Sequence, residues 1–276
     1  MKEKFVRLKT FIKAIVDRYT GHDVSQTAGQ IAYFGFLSLF PFIIFVNFIL
    51  QKLHLSAVDM AQALGSALPK EITEFLISYI NYISGQNSPG VLSVGIVSTV
   101  YLASRVIRSM EMAVAKAYGI TSERTFLGSV FVSAVAVICI GLMLAAAALL
   151  IVFSREPLHF LLNLLGLSDM VGVVLFLKWA FVLFVVLLVF AVVYKITPHK
   201  KTTFASVVPG TIFALVCFMA LSWGFGLYVS FATGSNSVYG YIGTVFVALV
   251  WIYFVSVIFT IGAEINGYFN ENNVKI

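Results

Sequence analysis

The chain alternates between long apolar stretches and short polar connectors. Six stretches of about twenty or more residues carry almost no charge: 28–50, 91–111, 128–153, 171–194, 206–232 and 239–263. A helix rises about 1.5 Å per residue and the hydrocarbon layer of a bilayer is about 30 Å thick, so about twenty residues cross it. The pattern predicts an all-α, polytopic membrane protein with six transmembrane helices in one membrane domain, residues 28–263.

The polar segments contain amphipathic patterns that predict interfacial helices. In residues 1–27, apolar positions recur at steps of three and four among lysines and arginines, and they are Phe5, Leu8, Ile12, Ile15 and Tyr19. This is typical of a helix that lies in the headgroup plane. Two further patterns predict amphipathic helices on the membrane face opposite the N-terminus. One follows Pro69 in the connector between the first two spans, and the other covers residues 157–167.

Composition and charge placement support a membrane protein and predict its orientation. The chain is 60% hydrophobic and 11% charged, with a mean hydropathy of +0.99, whereas globular domains have about 25% charged residues. Its formal net charge is +6. Twelve lysines and arginines lie outside the spans on the side of the N-terminus, against three on the other side. The positive-inside rule therefore predicts that both termini, including the tail 264–276, are cytoplasmic. Membrane orientation accounts for the basic charge, so we expect no nucleic acid partner.

The charges inside or at the ends of the apolar spans are the first candidate site residues. Arg105, Arg108 and Glu111 lie at i, i+3 and i+6 in the second span, and Glu264 lies at a comparable depth at the end of the sixth. A charge deep in the bilayer costs several kcal/mol unless it is paired or hydrated. Two interpretations stay open. The four residues form a charge network that locks span two to span six, or an arginine faces a cavity and binds an anionic headgroup or solute through its planar guanidinium.

Two further residues are candidates for a solute pathway. Pro41 removes a backbone donor within the first span and is expected to bend it, either to line a pathway or for packing. Lys178 lies about 10 Å into the fourth span, where it either extends its amine to the interface or lines a pathway. Neither residue distinguishes these alternatives by itself.

The sequence contains no recognisable catalytic or metal-binding motif. Its four histidines are scattered between both predicted faces and lack the spacing of metal ligands: His22, His54, His159 and His199. Cys139 and Cys217 both fall inside apolar runs, where a thiol behaves as a small hydrophobe. There is no phosphate loop, dinucleotide fingerprint or nucleophile elbow. We therefore expect no catalytic residue, no metal and no cofactor.

Several short blocks carry a family resemblance across residues 10–270. These are Gln30-Ile31-Ala32-Tyr33 through Ser38-Leu39-Phe40-Pro41, Ala103-Ser104-Arg105 with Glu111 and Ala115, Pro209-Gly210, Tyr239-Gly240 with Ile242-Gly243, Trp251-Ile252-Tyr253, and Gly262-Ala263-Glu264-Ile265-Asn266. In this order they resemble the YihY/BrkB membrane protein family, formerly labelled ribonuclease BN. The resemblance implies a bacterial inner-membrane protein with six spans and both termini inside, in agreement with the charge placement.

The resemblance implies two very different activities. The ribonuclease label implies trimming of tRNA ends, which requires metal-held carboxylates or histidines on the cytoplasmic side. The acidic residues there are spread over four separate segments: Glu3, Asp17, Asp23, Glu111, Glu123, Glu264 and Glu271. We therefore expect that the chain is not a ribonuclease. Some relatives are linked to movement of lipopolysaccharide or its lipid precursors, which implies a role with envelope lipids.

The residues and the resemblance together favour a transporter or flippase. The expected substrate is an anionic lipid or amphiphilic solute, and membrane lipids are the expected partners. A homo-oligomer is compatible with the sequence. The alternative is a non-transporting envelope scaffold or maintenance protein, in which the same charges only pack helices.

Overall fold

The described part of the chain is helical. A computed structural model describes residues 2–52, 58, 61, 70–84, 89–120, 128, 131, 171–196, 204–232 and 240–273. The helices longer than one turn in these ranges are α1 (Lys2–Gly21), α2 (Val24–Lys52), α3 (Lys70–Ser84), α4 (Pro89–Ala117), α5 (Val171–Ile196), α6 (Phe204–Ala232) and α7 (Gly240–Asn273). None of these ranges contains a strand. The predicted all-α class is confirmed.

Five of the predicted spans coincide with helices of the expected length, the last of them from residue 240 onward. They are the spans assigned to α2, α4, α5, α6 and α7. The structure describes only residues 128 and 131 of the predicted span 128–153, and both are helical. The predicted amphipathic segment 157–167 lies outside the described residues. Among the described helices, three segments are long and apolar enough to cross a membrane: Val24–Phe45, Ser206–Tyr228 and Val245–Glu271. Six spans and the orientation of the termini stay predictions.

The helix boundaries differ from the predicted domain limits at both ends of the chain. The predicted limit after residue 27 lies inside α2, because α1 and α2 are separated only by a turn at Asp23. Asp23 has a φ of 54°, in the left-handed region that aspartate tolerates better than most residues. At the other end, α7 continues to Asn273. Residues 264–273 of the segment predicted as a tail therefore belong to the last helix.

Helix α7 lies at the centre of the packing. It contacts α1, α2, α3, α4 and α6, while α5 packs on α6. Tyr194 of α5 is fully buried in the core, where its ring stacks on Phe259 of α7 at a centroid distance of 4.8 Å. The Tyr194 hydroxyl donates a hydrogen bond of 2.7 Å to the Phe259 carbonyl. This bond satisfies a polar group that burial in an apolar core would otherwise penalise.

Glycines allow α6 and α7 to approach closely. The amide of Gly210 donates a hydrogen bond of 2.7 Å to Oδ1 of Asn266, which is fully buried. A Cβ at Gly210 would overlap the carbonyl oxygen of Gly262, and a Cβ at Gly262 would overlap the Tyr194 hydroxyl. In a membrane the hydrophobic effect does not drive helices together, because lipid tails are as apolar as the side chains. Small residues promote association instead, since they let the backbones approach and form van der Waals and polar contacts.

We expect Gly210→Ala to destabilise the protein by about 1–3 kcal/mol, because the new methyl group meets rigid backbone of α7. Gly224→Ala is the matched control in the same helix, since a Cβ at Gly224 meets nothing within 4 Å. It should be neutral or slightly stabilising, as alanine favours a helix over glycine. Thermal unfolding of the two purified variants in detergent is the measurement. Equal midpoints would contradict the close α6–α7 contact.

Candidate functional site

Arg105 and Arg108 lie on the face of α4 that looks toward α2. They line a cavity of about 710 Å³ between the two helices. The α2 side of the lining repeats at steps of three and four residues, and so does the α4 side, as expected for single helix faces. The full lining is Gln26, Gly29, Gln30, Tyr33, Phe34, Arg105, Arg108, Ser109 and Met112. We call this space the arginine cavity.

The arginine cavity is positively charged and reaches the surface. Within the described ranges, neither arginine forms an ion pair or a hydrogen bond through its side chain. The guanidinium carbon of Arg105 lies 4.8 Å from the ring centroid of Phe34, a cation–π contact that holds it without neutralising it. Tyr33 and Met112 in the wall are exposed. An anion entering this cavity therefore meets two guanidinium groups and the amides of Gln26 and Gln30.

Glu264 is engaged elsewhere, with the N-terminal helix. Its carboxylate lies 3.3 Å from Nη1 of Arg18 and 2.8 Å from Nδ1 of His22. Arg18 also donates to the carbonyl of Ala117 at 3.0 Å and contacts the carboxylate of Glu271 at 2.5 Å. The Glu264 side chain is 2% exposed, so it depends on these partners for compensation. We call Arg18, His22, Glu264 and Glu271 the α1–α7 clasp.

The predicted charge network of Arg105, Arg108, Glu111 and Glu264 differs from this arrangement. Among the described residues, Glu264 pairs with α1 and not with the arginines of α4. Glu111 is buried on α4 and does not line the arginine cavity. Of the two interpretations left open by the sequence, the cavity-facing arginines describe the geometry better than a lock between the second and sixth spans.

Sequence reasoning missed Arg18 and His22 as partners of Glu264. The sequence pattern places Arg18 in an amphipathic helix in the headgroup plane and His22 among the scattered histidines, and each lies more than two hundred residues from Glu264 in the chain. One signal was present: Arg18 and His22 are four residues apart, and the His22 amide just after α1 donates to the Arg18 carbonyl, so the two residues follow one another at helical spacing. A second contact at this end joins Nζ of Lys116 to Asp23 at 3.4 Å. Both of its side chains are exposed, so it contributes little.

Pro41 lies beside a second, mostly apolar cavity. This cavity has a volume of about 450 Å³ and is lined by Phe40, Pro41, Ile44, Tyr79, Gly90, Val94, Gly95, Ser98 and Leu102. The hydroxyl of Tyr79 in α3 donates a hydrogen bond of 3.3 Å to the carbonyl of Phe40. We call this space the apolar cavity. The backbone of Lys178 belongs to α5, whereas its side chain lies outside the described part.

The described residues contain no group of three or more histidine, cysteine, aspartate or glutamate side chains arranged to hold a metal ion. In this part of the chain His22 is the histidine, and it contacts Glu264. His54, His159 and His199 lie outside the described residues. The expectations about catalysis, metals and cofactors stay predictions.

The apolar helices and the charged cavity between two of them define a helical membrane protein. A family model described as Virulence factor BrkB matches residues 15–275, and the chain belongs to this family. This confirms the resemblance drawn from the short sequence blocks.

Similar proteins extend along almost the whole chain. YfkH of Bacillus subtilis, named a ribonuclease-like protein, is 30% identical over 95% of this chain and 96% of its own. A UPF0761 membrane protein of Pseudoalteromonas translucida is 22% identical over 94% of this chain and 86% of its own. One from Aeromonas salmonicida is 24% identical over 95% and 89%. No solved structure matches the chain.

We expect different effects on stability when the paired charge of Glu264 and the unpaired charge of Arg108 are removed. Glu264→Leu leaves Arg18 largely buried with only the exposed Glu271 as an acidic partner, and should cost about 3 kcal/mol. Arg108→Leu removes an unpaired guanidinium, so it should leave stability unchanged or raise it. Thermal unfolding in detergent measures both.

The double variant Arg18→Met with Glu264→Leu is the control for the first effect. It replaces the pair by apolar side chains of similar length and should recover most of the lost stability. A large loss of stability in Arg108→Leu would show instead that Arg108 holds helices together.

Proposed function

We propose that this protein binds an anionic amphiphile from the membrane in the arginine cavity and moves it between the two leaflets, as a transporter or flippase. The observation that carries this proposal is the pair Arg105 and Arg108 facing a cavity without a carboxylate partner among the described residues.

Chemistry and size support an anionic ligand. A guanidinium presents a planar set of donors that suits phosphate and carboxylate oxygens, and such charge-assisted hydrogen bonds are about twice as strong as neutral ones. The positive charges lie between helices that are otherwise apolar, where a ligand's negative charge offsets the cost of burial. The volume of about 710 Å³ falls within the range of about 300–1,000 Å³ that is common for small-molecule sites.

We propose that both termini are cytoplasmic in a bacterial inner or plasma membrane. The excess of lysine and arginine on the N-terminal side supports this, and so does the contact of Arg18 with Glu271, since it brings the two ends of the chain together. Single cysteines at Lys4→Cys and Lys275→Cys, with Cys139 and Cys217 replaced by alanine, test it. Both should react with an impermeant maleimide only after permeabilisation. Opposite accessibility of the two positions contradicts the proposed orientation.

Transport is tested with purified protein in phosphatidylcholine vesicles that carry headgroup-labelled phosphatidylglycerol. Dithionite bleaching reports the transbilayer movement of the label. The wild-type protein should accelerate it above protein-free vesicles, and Arg108→Gln should reduce the acceleration by about tenfold or more. This corresponds to the loss of one charge-assisted hydrogen bond, about 1.5–3 kcal/mol.

Arg7→Gln is the matched control for this experiment. It makes the same chemical change at an exposed position of α1 that does not line the arginine cavity. It should transport as the wild type does. Equal rates for wild type, Arg108→Gln and protein-free vesicles would remove the basis of the proposal.

A non-transporting scaffold is the second candidate. The α1–α7 clasp and the close α6–α7 contact favour it, because in both places charges or glycines form contacts between helices. In cells that lack the chromosomal copy of this protein, the two candidates differ in one variant. If the protein is a transporter, the Arg108→Gln variant should fail to restore the envelope of these cells. If it is a scaffold, the variant should restore the envelope as the wild type does.

We also propose that the chain does not hydrolyse RNA, that it takes no cofactor and that membrane lipids are its partners. The name of YfkH describes that relative. In this chain the Glu264 carboxylate contacts both His22 and Arg18, which supports a structural use of these side chains. Purified protein incubated with tRNA and Mg²⁺ or Mn²⁺ should leave the RNA intact. Cleavage that is lost in Glu264→Gln would support a nuclease.

A further inference from the structure

The arginine cavity and the apolar cavity lie on the same faces of α2 and α4. On α2, the linings include Gln26, Gln30, Tyr33, Phe40 and Ile44, which follow one another at helical spacing, with about two turns from Tyr33 to Phe40. A residue recurs on one helix face every three or four positions. The two cavities are therefore stacked along a single side of α2.

The same holds on α4. Its linings are Gly90, Val94, Gly95, Ser98 and Leu102 for the apolar cavity and Arg105, Arg108, Ser109 and Met112 for the arginine cavity. Leu102 and Arg105 lie only one turn apart, about 4.5 Å along the axis. The helices meet in the wall of the apolar cavity, where a Cβ at Gly95 would lie 3.0 Å from Cγ2 of Ile44. Together the cavities form a lateral groove on the α2–α4 pair, which we call the α2–α4 groove.

The groove changes in polarity along its length. At one end lie two guanidinium groups, two glutamine amides and a serine; at the other the lining is mostly aliphatic and aromatic, with Ser98 and the Tyr79 hydroxyl as the polar groups. Val94 and Tyr33 are both exposed, one at each cavity, so the groove opens sideways from the helix pair. The groove is cationic at one end and apolar at the other. It therefore complements an anionic lipid, which has a negative headgroup at one end and apolar chains at the other.

The length of the groove also matches a lipid. From Arg108 to Val94 the axial distance along α4 is about 21 Å, at about 1.5 Å per residue. The acyl chains of one leaflet span about 15 Å, half of the hydrocarbon core of about 30 Å. A headgroup at the arginines thus allows a chain to reach the apolar cavity.

We propose that the α2–α4 groove holds one anionic glycerophospholipid, with its phosphate at Arg105 and Arg108 and an acyl chain in the apolar cavity. This rests on the proposed function and adds to it the class of ligand and its pose. A second copy of the chain fits the groove less well. A symmetric contact through this face would bring the unpaired arginines of two copies together, and like charges repel.

Lipid binding to the full-length protein in detergent, measured by native mass spectrometry, tests the groove. The probes are dipalmitoyl-phosphatidylglycerol, dipalmitoyl-phosphatidylcholine and glycerol phosphate, because a sixteen-carbon chain is long enough to enter the apolar cavity. The wild type should bind the anionic lipid about tenfold more tightly than the zwitterionic one, because of the two guanidiniums. It should bind glycerol phosphate about a hundredfold more weakly, because no chain is buried.

The variants separate the two ends of the groove. Val94→Trp fills the apolar cavity and should weaken phosphatidylglycerol binding about tenfold while leaving glycerol phosphate unchanged. Arg108→Gln should weaken both. Val216→Trp on α6 is the matched control, since Val216 is 58% exposed, Val94 is 67% exposed, and Val216 lines neither cavity. Ser98→Phe replaces Val94→Trp if that variant unfolds at a lower temperature than the control.

Each other outcome overturns the inference in a recognisable way. Normal lipid binding by Val94→Trp and Ser98→Phe, with loss in Arg108→Gln, removes the groove but keeps the arginine site. No preference for the anionic lipid in the wild type removes the proposed function as well. Glycerol phosphate bound as tightly as the lipid identifies a site for a free anion. A dimer in the wild type that Val94→Trp converts to a monomer identifies a second copy as the occupant.

Discussion

The free energy of a charge in hydrocarbon shapes the rest of this structure. Each buried ionic group needs an opposite charge, water or a ligand, and the chain uses two solutions. Glu264 is compensated within the protein by Arg18 and His22. Arg105 and Arg108 have no such partner in the described part and face a cavity instead. The first solution holds helices together, and the second leaves positive charge available for a ligand.

Helix α7 connects these two regions. Its glycines bring α6 and α5 into close contact with its central part, and its end binds α1 through the α1–α7 clasp. The α2–α4 pair also packs against α7. Close backbone contacts leave little room for adjustment, because interiors are packed to crystal-like density. This arrangement suits a rigid frame around α7 that supports two helices with a groove between them.

Much of the fold could be predicted because its signals are local. The apolar runs give α2, α4, α5, α6 and α7 their length, and the amphipathic stripe after Pro69 corresponds to α3. The predicted helix limits were less accurate where a single residue decides them. Asp23 is an example, because its left-handed conformation lets α2 begin four residues before the predicted start of the first span. Arg105 and Arg108 were recognisable as candidates because charged residues are rare within apolar runs. Arg18 was not, since a basic residue in a polar segment is ordinary.

By itself, the sequence determined that the chain is an assembly of apolar helices with a few costly charges, because hydrophobicity and helical period are properties of neighbouring residues. Only the tertiary structure decided which charges meet. Pairing depends on distances between helices that are far apart in sequence, such as α1 and α7, and no local pattern encodes them. The same reason applies to the α2–α4 groove: each helix carries half of its lining, and the polarity gradient exists only when the two halves face each other.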